Sequence, residues 1–285
     1  MFDSIWEDIK REFSYGNMVT RLVIINVVVF VSINLVRLLL FLASGGSVPE
    51  FYQDILHFFC MSSDWFHVLT HPWGIFTSMF LHEGLWHILW NMLFLYWFGR
   101  IVGDFIGNQR ILPLYLLGGL VGSVFYFLSA LFLPIGPFAL GASGAVMAIV
   151  VAAGTIAPDY MMRLIFLGDV KLKYIVAVLV FLDLIGIANN TNTGGHFAHL
   201  GGAAFGAFFV TQLRRGNDLS LPVNNMIDSI KNFFKSEGRA KASKRSKPRM
   251  AYKNPQARKR TFARNRRANN VSDVMTKEQL LLATK

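Results

Sequence analysis

The sequence predicts an all-α membrane protein, a six-transmembrane-helix bundle with a long outer loop between the first two spans. Of the 285 residues, 53% are hydrophobic and 14% are aromatic, and the mean hydropathy is +0.42. Six apolar stretches each approach the ~20 residues that a helix needs to cross a hydrocarbon core of ~30 Å. These predicted spans lie at about residues 20–43, 84–103, 110–133, 141–157, 172–190 and 196–213.

The distribution of Lys and Arg supports six spans with both termini on the inner side. No Lys or Arg occurs in the predicted outer segments, which are residues 45–81, 134–140 and 191–195. The predicted inner loops carry Arg100, Arg110, Arg163, Lys171 and Lys173. Such a bias is expected of the inner loops of a membrane protein. The fourth span is short and rich in Gly and Ala, so a re-entrant segment is the alternative there.

The outer loop, residues 45–81, is rich in aromatic side chains as well as free of Lys and Arg. Tryptophan and tyrosine settle at the level of the lipid headgroups. We therefore expect this loop to lie partly in the outer leaflet, and an ordinary folded loop outside the membrane is the alternative.

Charge divides the chain into three regions. A polar segment, residues 1–19, precedes a membrane domain at 20–215, and a basic tail follows at 216–285 with 17 Lys and Arg against 5 Asp and Glu. The net charge of +11 therefore belongs to the tail. Residues 222–238 have the pattern of an amphipathic helix, and we expect the tail to be cytoplasmic and largely disordered. Contact with anionic lipid is the functional alternative, and no nucleic-acid partner is expected because no binding module accompanies the charge.

Polar residues with chemical capability converge near the outer ends of three predicted spans. His87 and Asn91 lie one turn apart in the second span. Ser143, in the motif GASG, opens the fourth span, and His196 and His199 open the sixth. Scattered polar residues would have no reason to agree in depth, so we interpret this set as one site.

A zinc site is the first alternative, and the spacing argues against it. The HExxH motif places two histidines four residues apart so that both reach one ion. Here His82 and His87 are five apart, about 140° around a helix. We therefore expect no metal and no cofactor. A non-enzymatic membrane protein, such as a transporter, is the second alternative.

The residue types favour acyl transfer. A histidine takes the proton of the Ser143 hydroxyl, whose oxygen then attacks a carbonyl. The developing oxyanion needs donors, which the free N–H groups of a helix start provide, together with His87 and Asn91. Small residues allow the fourth and sixth spans to approach each other. They are Gly144, Ala148, Gly202 and Gly206.

Four segments together resemble the rhomboid family of intramembrane serine proteases. They are TRLVIINVVVF (20–30), FLHEGLWHILWNMLFLYWFGR (80–100), GASGAVMA (141–148) and HFAHLGGAAFG (196–206). The resemblance covers about residues 20–215. It implies a Ser143/His199 dyad without a third acid. His199 is taken as the base because the family's catalytic histidine precedes xxGxxxG. It also implies an oxyanion site formed by His87, Asn91 and the Ser143 N–H.

The same resemblance assigns supporting roles to further residues. Gly141 and Gly144 flank the serine, His196 is the second choice for the base, and His82 matches a histidine that supports the outer loop. Met147 departs from the aromatic residue that many members carry there, and we expect it to tune the histidine's orientation. Asp183, an acid within the fifth span, is expected to form a structural pair, and a role near the chemistry is the alternative.

The expected substrates are single-span membrane proteins, cut in or near the outer part of their span. We expect a multi-pass protein of a bacterial cytoplasmic (inner) membrane, with both termini cytoplasmic and the site opening outward. The alternative within the family is an inactive member that binds or escorts transmembrane clients. The oligomeric state is left open by the sequence.

Overall fold

The computed structural model describes residues 2–240, and these residues are mostly helical. The helices are α1 (Phe2–Tyr15), α2 (Met18–Ala43), α3 (Phe51–Phe59), α4 (Trp65–Thr70), α5 (Gly74–Thr77), α6 (Leu85–Ile106), α7 (Ile111–Ser129), α8 (Ser143–Ile156), α9 (Leu172–Ala188), α10 (Thr193–Arg214) and α11 (Ser220–Ala240). Short 3-10 helices lie at Ser78–Phe80 and Asn108–Arg110. Two antiparallel strand pairs complete the fold: β1 (Met61–Ser62) with β2 (Phe138–Ala139), and β3 (Met161–Leu164) with β4 (Gly168–Lys171).

Each of the six predicted apolar stretches coincides with one helix, namely α2, α6, α7, α8, α9 and α10. Within the described residues, two helical segments are long and apolar enough to cross a membrane by length and hydropathy, Met18–Ala43 and Asn108–Ser129. Ser143–Ile156 is a shorter apolar helix of the same character. The helices are therefore where the sequence predicts them, and their number as spans is taken up below as a proposal.

Helix α8 lies at the centre of the fold. It packs against α6, α7, α9 and α10, and nearly all of its residues from Gly144 to Ala153 are buried. Its sequence, SGAVMAIVVAAGTI, combines small and β-branched apolar side chains. A helix that is apolar on every side belongs in a protein interior or a membrane.

Close backbone approach joins α8 to α10. A methyl group added at Gly202 would collide with the carbonyl oxygen of Gly144, and one added at Gly206 would collide with that of Ala148. On the opposite side, a methyl group at Gly118 of α7 would collide with the Ala148 side chain. Small residues are thus required where these three helices meet.

The outer loop is folded into short elements. It contains α3, β1, α4, α5 and the 3-10 turn, and β1 pairs with β2 in the segment that leads to α8. The ring of His57 stacks on Phe138 of β2 with centroids 3.8 Å apart. Several apolar side chains nevertheless face outward, including Trp65, Phe66 and Leu69, each more than 60% exposed. Contact of this loop with lipid stays a prediction.

Ion pairs lie at the predicted inner ends of the long helices. Arg110, just before α7, pairs with Asp218 near the end of α10, with Nη2 and Oδ2 2.7 Å apart. Lys171 and Lys173 both reach Asp159 beside the β3–β4 hairpin. The predicted amphipathic helix at 222–238 lies within α11, whereas the rest of the predicted basic tail, from residue 241, lies outside the described residues.

Candidate active site

One cavity of about 920 Å³ is lined by four of the polar residues that the sequence singled out. Its walls come from α6, the segment 134–140, α8, α9 and α10. The lining includes Ser143, His199, His87 and Asn91, together with Met147 and Asp183. Side chains from four helices therefore face the same space.

Ser143 is the first residue of α8, and Gly141 allows the chain to enter that helix. Gly141 has φ = +131°, a conformation that favours glycine. A methyl group there would lie 2.7 Å from Nε2 of His87 and 3.7 Å from Oγ of Ser143. Glycine is thus needed both for the backbone turn and for the approach of the His87 ring to the serine.

Two backbone N–H groups anchor the turn before Ser143. The N–H of Gly141 donates to the carbonyl of Ser78 at 2.9 Å, and that of Ala142 donates to Nε2 of His82 at 3.4 Å. His82 is only 1% exposed, and its burial, with a smaller effect of His87, lowers its pKa to about 4. A neutral His82 therefore ties the end of the outer loop to the start of α8.

Helix α10 brings His199 to the same cavity. Its neighbour Ala198 contacts α8, because a methyl group on Gly144 would lie 3.2 Å from the Ala198 carbonyl oxygen. The chain neighbours of Ser143 and of His199 are thus in contact across the α8–α10 seam.

The amide of Asn91 is partly used within its own helix. Its Nδ2 donates to the carbonyl of His87 at 2.9 Å. An amide nitrogen carries two hydrogens, so one donor is left. Asn91 is 6% exposed and lines the cavity, where that donor is available to a bound group.

Asp183 contacts both candidate histidines, an arrangement that the sequence did not specify. Its Oδ1 lies 2.7 Å from Nδ1 of His196 and 2.7 Å from Nδ1 of His199. His199 lines the cavity with Asp183, whereas His196 is not part of the cavity lining. An isolated acid in the apolar sequence LVFLDLIG was the available signal, but its partners depend on how α9 and α10 are aligned.

The histidines of the zinc alternative are arranged differently. The rings of His82 and His87 have centroids 5.0 Å apart and meet edge to face. Within the part of the chain described here, the group with metal-ligand spacing is instead Asp183, His196 and His199, whose ligand atoms lie within 4.8 Å of one another. Direct hydrogen bonds account for that closeness.

Comparison with protein families matches residues 69–216 to the rhomboid domain. This match covers more than half of the chain and includes all the cavity residues from α6 to α10. The chain belongs to the rhomboid family. The resemblance read from the motifs is therefore confirmed at the level of the family.

Three rhomboid proteins are similar to this chain in sequence. RHOMBOID-like protein 12, mitochondrial, of Arabidopsis thaliana is 36% identical over 157 residues, which is 50% of this chain and 46% of that protein. Presenilin-associated rhomboid-like protein, mitochondrial, of Rattus norvegicus is 31% identical over 171 residues, covering 58% and 43%. Rhomboid protease GluP of Bacillus subtilis is 30% identical over 136 residues, covering 47% and 25%. The chain thus spans less than half the length of these relatives.

The expected bacterial cytoplasmic membrane is wrong. The relatives with the highest similarity among these three are both named as mitochondrial proteins. The distribution of Lys and Arg predicts only which loops face the inner side of a membrane. It carries no information on which membrane holds the helices.

Proposed function

We propose that this rhomboid is a multi-pass intramembrane serine endopeptidase that acts through Ser143 and His199. The observation that carries the proposal is the shared cavity: both side chains line it, together with His87 and Asn91. The named protease GluP among its relatives adds support from the family.

The proposed chemistry follows from the positions of these groups. His199 accepts the hydroxyl proton of Ser143 while the serine oxygen attacks a substrate carbonyl. The oxyanion lies near the free N–H groups at the start of α8, with His87 and Asn91 as further donors. The histidinium then protonates the leaving amine, and a water molecule hydrolyses the acyl-enzyme by the same steps.

The proposed substrates are transmembrane segments of other proteins. A helix hides its carbonyls in backbone hydrogen bonds, so a substrate helix must unwind before it can be cut. The cavity is bordered by α6 and α9, where Trp86, Trp90 and Leu182 are each more than half exposed. Their exposure supports lateral entry of a substrate between these two helices.

The proposal includes six membrane spans, α2 and α6 to α10, in a mitochondrial membrane. Helices α6 and α10 have 22 residues each, and at about 1.5 Å per residue such helices cross a hydrocarbon core. The membrane domain would then be residues 20–215, between the segment 1–19 and a basic tail at 216–285 that contacts anionic lipid. The mitochondrial location rests on the names of the relatives.

The second candidate is an inactive rhomboid that binds or escorts transmembrane clients. The matches cover less than half the length of each relative. They therefore support membership of the family and not a particular activity. The retained Ser143, His199, His87 and Asn91 favour the enzyme.

A fluorophosphonate probe on the purified, detergent-solubilised protein tests the proposal. We expect covalent labelling that is lost in Ser143→Ala and unchanged by chelators, and cleavage of a reconstituted transmembrane substrate that is lost in the same variant. The matched control is Ser129→Ala, since Ser129 is a buried serine of α7 outside the cavity lining. Labelling that survives Ser143→Ala, or cleavage that chelators abolish, would contradict the proposed enzyme.

A further inference from the structure

Asp183 is a buried acid in the apolar part of α9, where residues 175–188 contain no other charged side chain. The residue is 6% exposed, and its side chain lies on the face of α9 that meets α10. Taking a carboxylate out of water costs several kcal/mol unless hydrogen bonds or opposite charge compensate. Here the compensation comes from His196 and His199, both from α10.

The α9–α10 contact accommodates both histidine rings. His196 and His199 are three residues apart, so both project from one side of α10. On α9, Gly186 lies three residues after Asp183, and a methyl group there would collide with the His196 ring. Asp183 supplies the acceptor and Gly186 the space, one turn apart on the same helix.

The hydrogen bond determines which ring nitrogen of His199 carries the proton. An ionised carboxylate can only accept, so Nδ1 of His199 is the protonated nitrogen. The lone pair of the neutral ring is then at Nε2. A general base in the proposed reaction needs that free lone pair, and it needs the ring held in one orientation.

We propose that Asp183 is a positioning residue for His199: it fixes the tautomer and the orientation of the ring through Oδ1, and it stabilises the imidazolium that forms during turnover. This inference rests on the proposed function and extends it, because the resemblance implies a dyad without a third acid. It does not assign any contact between Asp183 and the substrate.

The same oxygen also accepts from His196, and this sharing has a consequence. Two N–H groups donate to one oxygen, so His196 helps to hold the Asp183 carboxylate in place against His199. His196 therefore acts on the reaction only through Asp183. Its removal leaves the bond to His199 intact.

Steady-state kinetics with a reconstituted transmembrane substrate test the role of Asp183. For Asp183→Ala we expect kcat to fall on the order of 10²- to 10⁴-fold with KM little changed, as for loss of the acid that orients a catalytic histidine. Asp183→Asn has nearly the same volume, so it keeps the packing. Its amide loses the charge and can offer an N–H to the ring, which would favour the wrong tautomer, and a similar fall in kcat is expected.

The matched control is Asn26→Ala, which removes a fully buried polar side chain on α2. Asn26 donates to the Leu22 carbonyl and to the Tyr115 hydroxyl, and none of these three residues lines the cavity. It should lower the thermal unfolding midpoint and leave kcat near that of the parent protein. The Asp183 variants are compared with Asn26→Ala at equal unfolding midpoints. A larger loss of kcat in the Asp183 variants then indicates positioning of His199 and not structural support.

Two outcomes would overturn the inference, and only the first of them leaves the proposed function standing. One is an inactive Ser143→Ala protein beside Asp183→Asn and Asp183→Ala variants that keep kcat within about twofold. The other is activity of the parent protein that a chelator abolishes and added Zn²⁺ restores, since Asp183, His196 and His199 would then serve a metal. Cleavage that survives Ser143→Ala would instead refute the proposed function itself.

Discussion

His196 and His199 share one acceptor, but only His199 lines the cavity with Ser143. We therefore expect His199→Ala to abolish turnover and His196→Ala only to reduce it. Rates of cleavage of one transmembrane substrate by the two variants, at matched protein folding, test this difference. A reversed order would reassign the base to His196.

Asn91 offers the cavity one amide hydrogen, because the other is directed to the His87 carbonyl. Asn91→Ala removes at most one oxyanion donor, so kcat should fall about 10- to 10³-fold. Asn91→Asp is a useful companion, since a carboxylate has a similar shape but repels an oxyanion. A larger loss in Asn91→Asp than in Asn91→Ala is expected, and equal activity of all three proteins would remove Asn91 from the site.

Burial of His82 makes a prediction about pH. Its pKa is lowered from 6.5 to about 4 in the folded protein, so the unfolded chain binds the proton more readily between these values. The free energy of unfolding should therefore fall as pH drops from about 6.5 towards 4, by up to about 3 kcal/mol from this residue. Thermal unfolding of the parent protein and of His82→Gln across that range measures the effect, and parallel curves would show that His82 contributes nothing.

At the level of helices, the α8–α10 seam depends on Gly202. A methyl group there meets a main-chain carbonyl, which cannot rotate away, so Gly202→Ala should destabilise the protein by about 2–3 kcal/mol. Gly103→Ala is the matched control, because the nearest atom to a methyl group at that helical glycine is 4.0 Å away. The control should be neutral or up to about 1 kcal/mol more stable, since Ala favours a helix. Equal unfolding midpoints for the two variants would argue against the seam.

The helices show what a single sequence can predict. Long apolar stretches identify α2, α6, α7, α8, α9 and α10 within a few residues, because burial or lipid requires the same continuous apolar character. The short helices of the outer loop and the β3–β4 hairpin were not predicted, since they have few residues. The outer loop also depends on distant partners such as Phe138. Ser143 and His199 could be selected by motif. The link to Asp183 could not, because sequence alone does not give the alignment of α9 against α10.

For the whole molecule, the short helix α8 decides the topology. Its 14 residues span about 21 Å, less than a typical hydrocarbon core, so a re-entrant α8 is the alternative to six spans. The two arrangements place the β3–β4 hairpin on opposite sides of the membrane. With six spans, this hairpin and the outer loop face different compartments.

Cysteine labelling in sealed proteoliposomes distinguishes these topologies. Leu69, in the outer loop, and Phe166, at the hairpin tip, are 68% and 96% exposed. In a background with the single cysteine removed by Cys60→Ala, an impermeant maleimide should modify Leu69→Cys and Phe166→Cys from opposite sides. Modification of both from the same side would establish a re-entrant α8.

The contact of Gly202 and Gly206 with the carbonyls of α8 fixes the distance between α8 and α10. Side chains cannot adjust this distance. Main-chain atoms have no rotamers, so the separation between the serine-bearing helix α8 and the histidine-bearing helix α10 is set by direct van der Waals contact of their backbones. Thermal rearrangement of neighbouring side chains leaves that spacing unchanged. We therefore expect substitutions that change specificity to lie on the surfaces around this seam.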